Sequence, residues 1–123
     1  MNFASVRLVT NDVERLASFY ARLSGVPAVH LADGFAEIRL PGAVLAISAE
    51  ALIQRFHAGA APAAANRSAI LEFEVEDVGV VRSLLGNGVE VVQEPTLMPW
   101  GNRSLLLRDP DGSLVNVFSR PRD

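Results

Sequence analysis

The chain offers few side chains for metal or nucleophilic chemistry. It contains two histidines, His30 and His57, and no cysteine. Thiolate ligands, disulfides and a cysteine nucleophile are therefore excluded. Neither histidine has a His or Glu partner at the three- or four-residue spacing that places two ligands on one helix face. A metal site would have to combine distant parts of the chain, with His30 beside Glu37, Glu72 or Glu74.

Two other residue types could act on a ligand. Glu72 and Glu74 alternate with apolar residues of a predicted strand, so both lie on one face, and either is a candidate general base. Trp100 is the only tryptophan and precedes Gly101 at a strand boundary. Its ring could stack on a planar ligand, close one end of the fold or lie in a subunit interface.

An internal repeat positions these residues. Residues 5–20 (SVRLVTNDVERLASFY) and 70–85 (ILEFEVEDVGVVRSLL) share one pattern at a constant offset of 65. Each begins with the alternation of a half-buried strand and continues, after Asp12 or Asp77, with apolar residues at helical spacing. The two aspartates are suited to accept free amide protons of the first helical turn, and Glu14 is placed as a capping-box partner.

Three strands are predicted after each helix. They cover 26–29, 34–40 and 43–48 in the first half, and 89–92, 102–108 and 113–119 in the second. Pro41-Gly42 and Asp109-Pro110-Asp111-Gly112 separate the last two strands of each half, as expected of tight turns. The sequence predicts a single α+β domain of two tandem βαβββ modules, 1–49 and 67–123, joined by a linker, 50–66, that starts with a short helix.

Charge and hydropathy exclude several functions. The net charge is −3, lysine is absent, and the arginines are interspersed with acidic residues, so nucleic acid is not an expected partner. No apolar run reaches the 18 residues needed to cross a bilayer, and the first residues do not resemble a signal peptide. A cytoplasmic protein with no membrane partner is predicted.

This organisation resembles the vicinal oxygen chelate superfamily, which includes glyoxalase I, extradiol dioxygenases and bleomycin resistance proteins. The resemblance is carried by residues 6–20, 71–78 and 99–118, the last reading PWGNRSLLLRDPDGSLVNVF. It implies that the sheet of each module curls to form half of a cleft in one curved mixed sheet. It also implies a homodimer, because members of this superfamily commonly dimerise.

The same resemblance places metal ligands on the first and last strands of each module. The corresponding positions here are Ser5 and Ala46 in the first module, and Ile70 and Asn116 in the second. Serine and asparagine oxygens are weak neutral ligands for divalent metals, and alanine and isoleucine provide none. We therefore predict no divalent metal and no other cofactor.

Strand alternation indicates which side chains face the cleft. If Val6, Leu8, Leu71, Phe73, Val115 and Val117 pack beneath the helices, the opposite face includes Arg7 and Glu72, which either neutralise one another or hold a ligand's carboxylate and amine. Leu105 is predicted on that face as well. The predicted ligand-binding residues are Arg7, Phe35, Glu37, Glu72, Trp100, Arg103, Asn116 and Phe118.

The sequence favours a binding protein over an enzyme. The predicted function is metal-free binding of a small organic molecule, with sequestration of an aromatic or cationic compound in a resistance or accessory role. The alternatives are a glyoxalase-like lyase or dioxygenase with rearranged metal ligands, and a metal-independent isomerase with Glu72 or Glu74 as its base. A regulatory module that binds another protein is a third class.

Overall fold

The computed structural model describes residues 1–121, and the chain divides into two compact units. The first unit spans Met1–Asn66 and the second begins at Arg67. Each unit contains one four-stranded mixed sheet, so the predicted α+β class and the repeated βαβββ order are confirmed. The prediction that both modules form one domain remains a prediction.

The first unit has four strands and two helices. They are β1 (Ser5–Thr10), α1 (Val13–Ser24), β2 (Val29–Ala32), β3 (Phe35–Leu40), β4 (Ala43–Ala49) and α2 (Glu50–Phe56). The strand order is β1-β4-β3-β2, with β1 parallel to β4 and the other pairs antiparallel. Helix α1 packs on β3 and β4.

Through residue 121, the second unit repeats this arrangement without a counterpart of α2. Its elements are β5 (Ile70–Glu74), α3 (Val78–Leu85), β6 (Glu90–Leu97), β7 (Arg103–Arg108) and β8 (Leu114–Ser119). The strand order is β5-β8-β7-β6, with β5 parallel to β8. Helix α3 packs on β6, β7 and β8.

Aspartates begin both repeated helices, as predicted. The Asp12 carboxylate accepts the Arg15 amide proton at 3.1 Å, and the Asp77 carboxylate accepts those of Gly79 and Val80. The capping-box role of Glu14 is wrong. The backbone N–H of Asp12 donates instead to the Thr10 hydroxyl, which leaves the Glu14 carboxylate to bond His30.

The apolar stripes of the helices form the cores. Helix α1 buries Leu16, Ala17, Tyr20 and Leu23, and α3 buries Val78 and Leu85. The central strands supply fully buried partners, Ile38 and Ile47 in the first unit and Leu105, Leu107, Val115 and Val117 in the second. The helical spacing read from the sequence therefore identified the face that packs on each sheet.

Three segments differ from their predicted form. Strand β6 covers Glu90–Leu97 rather than ending at 92. Strand β2 begins at Val29 rather than at 26, because the Ser24 hydroxyl holds the Val26 amide in a turn and Pro27 has no amide to donate to a ladder. The segment 50–66 belongs to the first unit. It contains α2, and the Ala64 amide donates to the carbonyl of Val9 at 3.0 Å.

The turn between β2 and β3 requires glycine. Gly34 has φ of +78°, and an added Cβ would lie 3.0 Å from the Cβ of Ala49. A side chain there would therefore meet both backbone strain and a close neighbour. Within residues 1–121, the helices are too short or too polar to cross a bilayer.

Candidate functional site

Each sheet has a helix face, which carries the packed helix, and a front face on the opposite side. In the first unit, His30, Ala36, Ile47 and Leu8 are register partners on one face. The imidazole of His30 lies 2.7 Å from the carboxylate of Glu14 on α1, which identifies that face as the helix face. The front face therefore carries Ser5, Arg7, Val9, Phe35, Glu37, Arg39, Ala46 and Ser48.

Arg7 dominates the front face of the first unit. Its guanidinium carbon lies 5.9 Å from the centre of the Phe35 ring, although β4 separates their two strands. The side chain therefore crosses β4, where the buried small residues Ala46 and Ser48 leave room for it. Within residues 1–121, no ion pair or side-chain hydrogen bond occupies the guanidinium. Its N–H groups are available to an acceptor.

A second charged group lies on the same face. Glu37 accepts a hydrogen bond from the Arg39 side chain at 3.0 Å. The Glu37 side chain is 20% exposed and that of Arg39 is 55% exposed, so the carboxylate is the more enclosed partner. Glu37 and Arg7 share a register row through Ala46. The row therefore presents a carboxylate and a guanidinium on either side of a small residue.

In the second unit, a carboxylate, Glu72, takes the position that Arg7 has in the first unit. Glu72 and Asn116 are register partners, and the Asn116 amide donates to the Glu72 carboxylate at 2.8 Å. Since an ionised carboxylate only accepts, the amide must turn its NH₂ toward Glu72. The Asn116 Oδ1 is then buried, with no donor among residues 1–121.

Glu74 and Phe118 form the next row of the front face. Arg120 joins them, because its Nε donates to the Glu74 carboxylate at 3.0 Å and its guanidinium carbon lies 5.6 Å from the Phe118 ring centre. Sequence reasoning missed Arg120. Its place two residues after Phe118, on the same side of an extended chain, was the available signal.

The predicted face of Arg103 and Leu105 is wrong. Arg103 pairs with Ser119 and Leu105 with Val117, which places both on the helix face with Val115. Leu105 is fully buried there, and Arg103 lines a cavity with the first residues of α3. The role of Arg103 in ligand binding remains a prediction.

Trp100 lies where the sequence placed it, at a strand boundary. It belongs to the hairpin between β6 and β7, which the amides of Met98 and Gly101 close through hydrogen bonds to Asn102 and Met98 carbonyls. The residue is 68% exposed. Its role as a wall for a planar ligand remains a prediction.

The histidines do not meet the carboxylates proposed for a rearranged metal site within their own unit. His30 pairs with Glu14 on the helix face, whereas Glu37 lies on the front face. His57 follows α2 as its exposed C-cap. Among residues 1–121, no three His, Asp or Glu side chains are grouped as a metal site would need.

The four metal-ligand positions lie on the front faces, as the resemblance implies. Ser5 and Ala46 belong to the first sheet, and Ile70 and Asn116 to the second. Their side chains are a hydroxyl, a methyl group, an alkyl chain and an amide already bonded to Glu72. Divalent metal sites of this kind combine several imidazole or carboxylate donors, which these four residues do not supply, so the set does not fit such a metal.

One charge pair fixes the helix of the second unit. The Arg82 guanidinium donates two hydrogen bonds to Glu94 on β6, at 2.7 and 3.2 Å. These bonds lower the pKa of the Glu94 carboxyl and raise that of Arg82. Both groups lie on the surface, which makes this a structural contact rather than a reactive centre.

Comparison with known proteins agrees with this architecture. A family model described as the glyoxalase/bleomycin resistance protein/dioxygenase superfamily matches residues 2–117. The chain belongs to that superfamily. No curated protein gives a significant match.

Solved structures show the same fold at low identity. A glyoxalase/bleomycin resistance protein/dioxygenase from Nocardioides is 23% identical, with 99% of this chain and 85% of that one covered and a TM-score of 0.78. A family enzyme from Burkholderia phytofirmans PsJN is 14% identical, covering 97% and 98%, with a TM-score of 0.81. A protein of unknown function from Agrobacterium tumefaciens str. C58 is 24% identical, covering 97% and 94%, with a TM-score of 0.82.

Proposed function

We propose that this protein binds a small aromatic or cationic organic molecule through front-face side chains, without a resident metal. The observation that carries the proposal is the chemistry of the four ligand positions. Ser5, Ala46, Ile70 and Asn116 face the front but include no ionisable donor, while neighbouring positions carry an uncompensated guanidinium and several carboxylates.

The first unit supplies a platform for a ring or an acceptor. The Arg7 guanidinium lies over the Phe35 ring and keeps its N–H groups unoccupied within residues 1–121. A guanidinium held against a ring has less freedom to lose when it binds, and it presents a planar set of donors. A planar ligand with a carboxylate or carbonyl oxygen suits this surface.

The second unit supplies acceptors. Glu72 and Glu74 lie on adjacent rows of the front face, and each carboxylate is oriented by one hydrogen bond, from Asn116 or Arg120. Each carboxylate retains lone pairs for further N–H donors. An amine or amidine group suits these acceptors, in line with the weakly acidic net charge of −3.

The biological role that follows is sequestration of such a compound, in resistance or as an accessory protein. The lyase, dioxygenase and isomerase alternatives each need a catalytic metal or a base with a defined substrate pose. Nothing in the front-face geometry favours one of these reactions over binding. The proposal therefore concerns affinity rather than turnover.

The test combines elemental analysis with a binding screen. The purified protein is expected to contain less than one divalent metal per chain. Some members of a panel of aromatic amines and aromatic acids are expected to shift amide resonances of front-face residues saturably, or to quench Trp100 fluorescence. Arg7→Gln should weaken an aromatic acid about tenfold or more, because charge-assisted hydrogen bonds are lost. Glu72→Gln should weaken an aromatic amine similarly.

Arg15→Gln is the matched control, since it removes one exposed positive charge from α1, which packs on the helix face of the first sheet rather than on its front face. It should leave both affinities unchanged. One tightly held nickel, zinc, iron or manganese ion per chain, with binding abolished by a chelator, would refute the metal-free proposal and favour the enzyme alternatives. Silence across the panel would refute the ligand class.

A further inference from the structure

The second unit contains a cavity that the front-face function does not use. It has a volume of about 570 Å³ and lies between the first turn of α3 and the ends of β6, β7 and β8. Its apolar lining includes Val78, Leu97 and Pro121, and its polar lining includes Arg103 and Ser119. This volume lies within the range of sites that hold small organic ligands.

Three adjacent strands supply a row of side chains to the cavity. Leu97 pairs with Arg103, and Arg103 pairs with Ser119, so the three residues lie side by side on the helix face. Directly opposed antiparallel residues have Cβ atoms about 4.5–5.5 Å apart. The Leu97 side chain, the Arg103 guanidinium and the Ser119 hydroxyl therefore lie next to one another across the three strands.

Ser119 is the unusual member of this row. The residue is only 8% exposed, and its hydroxyl has no hydrogen-bond partner within residues 1–121. Within residues 1–121, this oxygen is not one of the fully buried polar atoms that lack a partner, so it reaches the solvent of the cavity and its proton is available to a ligand. Because Ser119 lines the cavity, a ligand oxygen there could accept its proton.

Arg103 is the cation available beside it. Its guanidinium makes no ion pair or side-chain hydrogen bond within the described residues, 1–121. The other charges at the cavity have partners or are acidic. Arg120 is bound to Glu74, Asp77 caps α3, and the carboxylate of Glu76 adds negative charge at the rim.

We propose that this cavity binds a small monocarboxylate. The carboxylate accepts hydrogen bonds from the Arg103 guanidinium and the Ser119 hydroxyl, and the apolar tail lies against Leu97, Val78 and Pro121. The acidic rim of Glu76 and Asp77 disfavours phosphates and dicarboxylates, whose second charge has no cation to meet. The cavity is on the helix face, so the inference stands independently of the front-face function.

The test uses butyrate as the probe, with n-butanol and butylammonium as charge controls. Amide chemical shifts of the ¹⁵N-labelled protein are followed during titration. Butyrate is expected to shift resonances of Leu97, Arg103 and Ser119 saturably, with a dissociation constant on the order of millimolar, as befits so small a ligand. Lengthening acetate to butyrate and hexanoate should tighten binding about two- to fourfold per buried methylene.

Variants separate this site from a general charge effect. Arg103→Gln should weaken butyrate about tenfold or more and Ser119→Ala about threefold. Arg15→Gln, with the same loss of charge on α1, and Arg7→Gln, on the front face of the first unit, should leave butyrate binding unchanged. Retained amide dispersion in each variant shows that the fold is intact.

Three results would overturn the proposal. The first is the absence of saturable shifts around Arg103 and Ser119 at high butyrate concentration. The second is equal binding of butylammonium or phosphate, and the third is wild-type affinity in Arg103→Gln. Failure of every aromatic compound to bind the front faces, with butyrate binding intact, would refute the proposed function and leave this inference standing.

Discussion

The two units share a backbone plan but present different chemistry on their front faces. On the corresponding row, the first unit has Arg7 beside the small Ala46, and the second has Glu72 beside Asn116. Arg7 crosses the small residues to reach Phe35, whereas Glu72 is held in place by the neighbouring amide. One unit presents donors and the other acceptors.

The helix faces differ much less. Ile47 and Val117 occupy corresponding positions on the central strands, and both are fully buried. Packing directly beneath a helix favours apolar side chains of suitable volume, while the front face carries no such constraint from its helix. At these corresponding positions the repeats differ more on the front faces than beneath the helices.

The largest expected effect tests whether stability depends on the helix face. Ile47→Ala should lower the free energy of unfolding by about 3 kcal/mol, through lost burial and the cavity left behind. Arg39→Ala on the front face of the same sheet should change it by less than about 0.5 kcal/mol. Urea denaturation measures both. Comparable losses would contradict the distinction between the faces.

The next effect concerns the turns before the last strand of each sheet. In the second unit the buried Asp109 carboxylate accepts the amide protons of Asp111 and Ser113, each at 2.9 Å, whereas the first unit makes its reversal with Pro41-Gly42 alone. Asp109→Ala should lower the free energy of unfolding by about 2 kcal/mol, because buried donors lose their acceptor. Thermal denaturation gives the value.

Asp111→Ala is the control for that turn. The Asp111 Oδ2 is buried without a hydrogen-bond donor within residues 1–121, so its removal should be neutral or stabilising. A loss equal to that of Asp109→Ala would show that the carboxylate hydrogen bonds are not what holds the turn.

A smaller effect tests the Asn116 amide, which holds Glu72 on the front face of the second unit. Asn116→Asp would set a second carboxylate against Glu72 and should lower the free energy of unfolding by about 1 kcal/mol at neutral pH and low salt. Added salt should reduce the loss, since the Glu72 carboxylate is exposed to solvent. Asn116→Ala, which copies Ala46 of the first unit, should show no salt dependence beyond that of the wild type.

The smallest effect concerns the pair that joins α3 to β6. Arg82 lowers the pKa of Glu94, so its stabilisation is present above the unfolded-state pKa and is lost as pH falls through the folded-state value. Arg82→Gln should return the pKa of Glu94 toward its ordinary value. An NMR titration of the Glu94 carboxyl measures this shift, and an unchanged pKa would exclude Arg82 as the cause.

The repeat made most of the fold predictable. Strand alternation, helical spacing and the aspartates at 12 and 77 are local signals, and the structure contains each element that they indicated. The start of β2 was misplaced because the Ser24 hydroxyl and Pro27 extend the exit from α1. A side chain that takes a backbone amide away from strand pairing leaves no trace in the spacing of apolar residues.

The site was only partly predictable, and Arg103 shows why. Leu40 pairs with Ala43 across two residues, but Arg108 pairs with Leu114 across five. The two turns differ in length by an odd number of residues. Odd-numbered residues of β3 therefore pair with even-numbered residues of β4, whereas odd-numbered residues of β7 pair with odd-numbered residues of β8. A one-residue change in register moves every side chain to the other face, so alternation alone could not assign Arg103.

The amino-acid sequence by itself determined the repeated strand-helix-strand order, the buried stripe of each helix and the residue types at the four superfamily ligand positions. These depend on local spacing and on chemical identity. Only the tertiary structure decided that Arg7 crosses β4 to Phe35, that His30 turns to Glu14, and that Arg103 and Ser119 meet at a cavity. Those contacts depend on register and on side-chain reach between strands, which no single segment encodes.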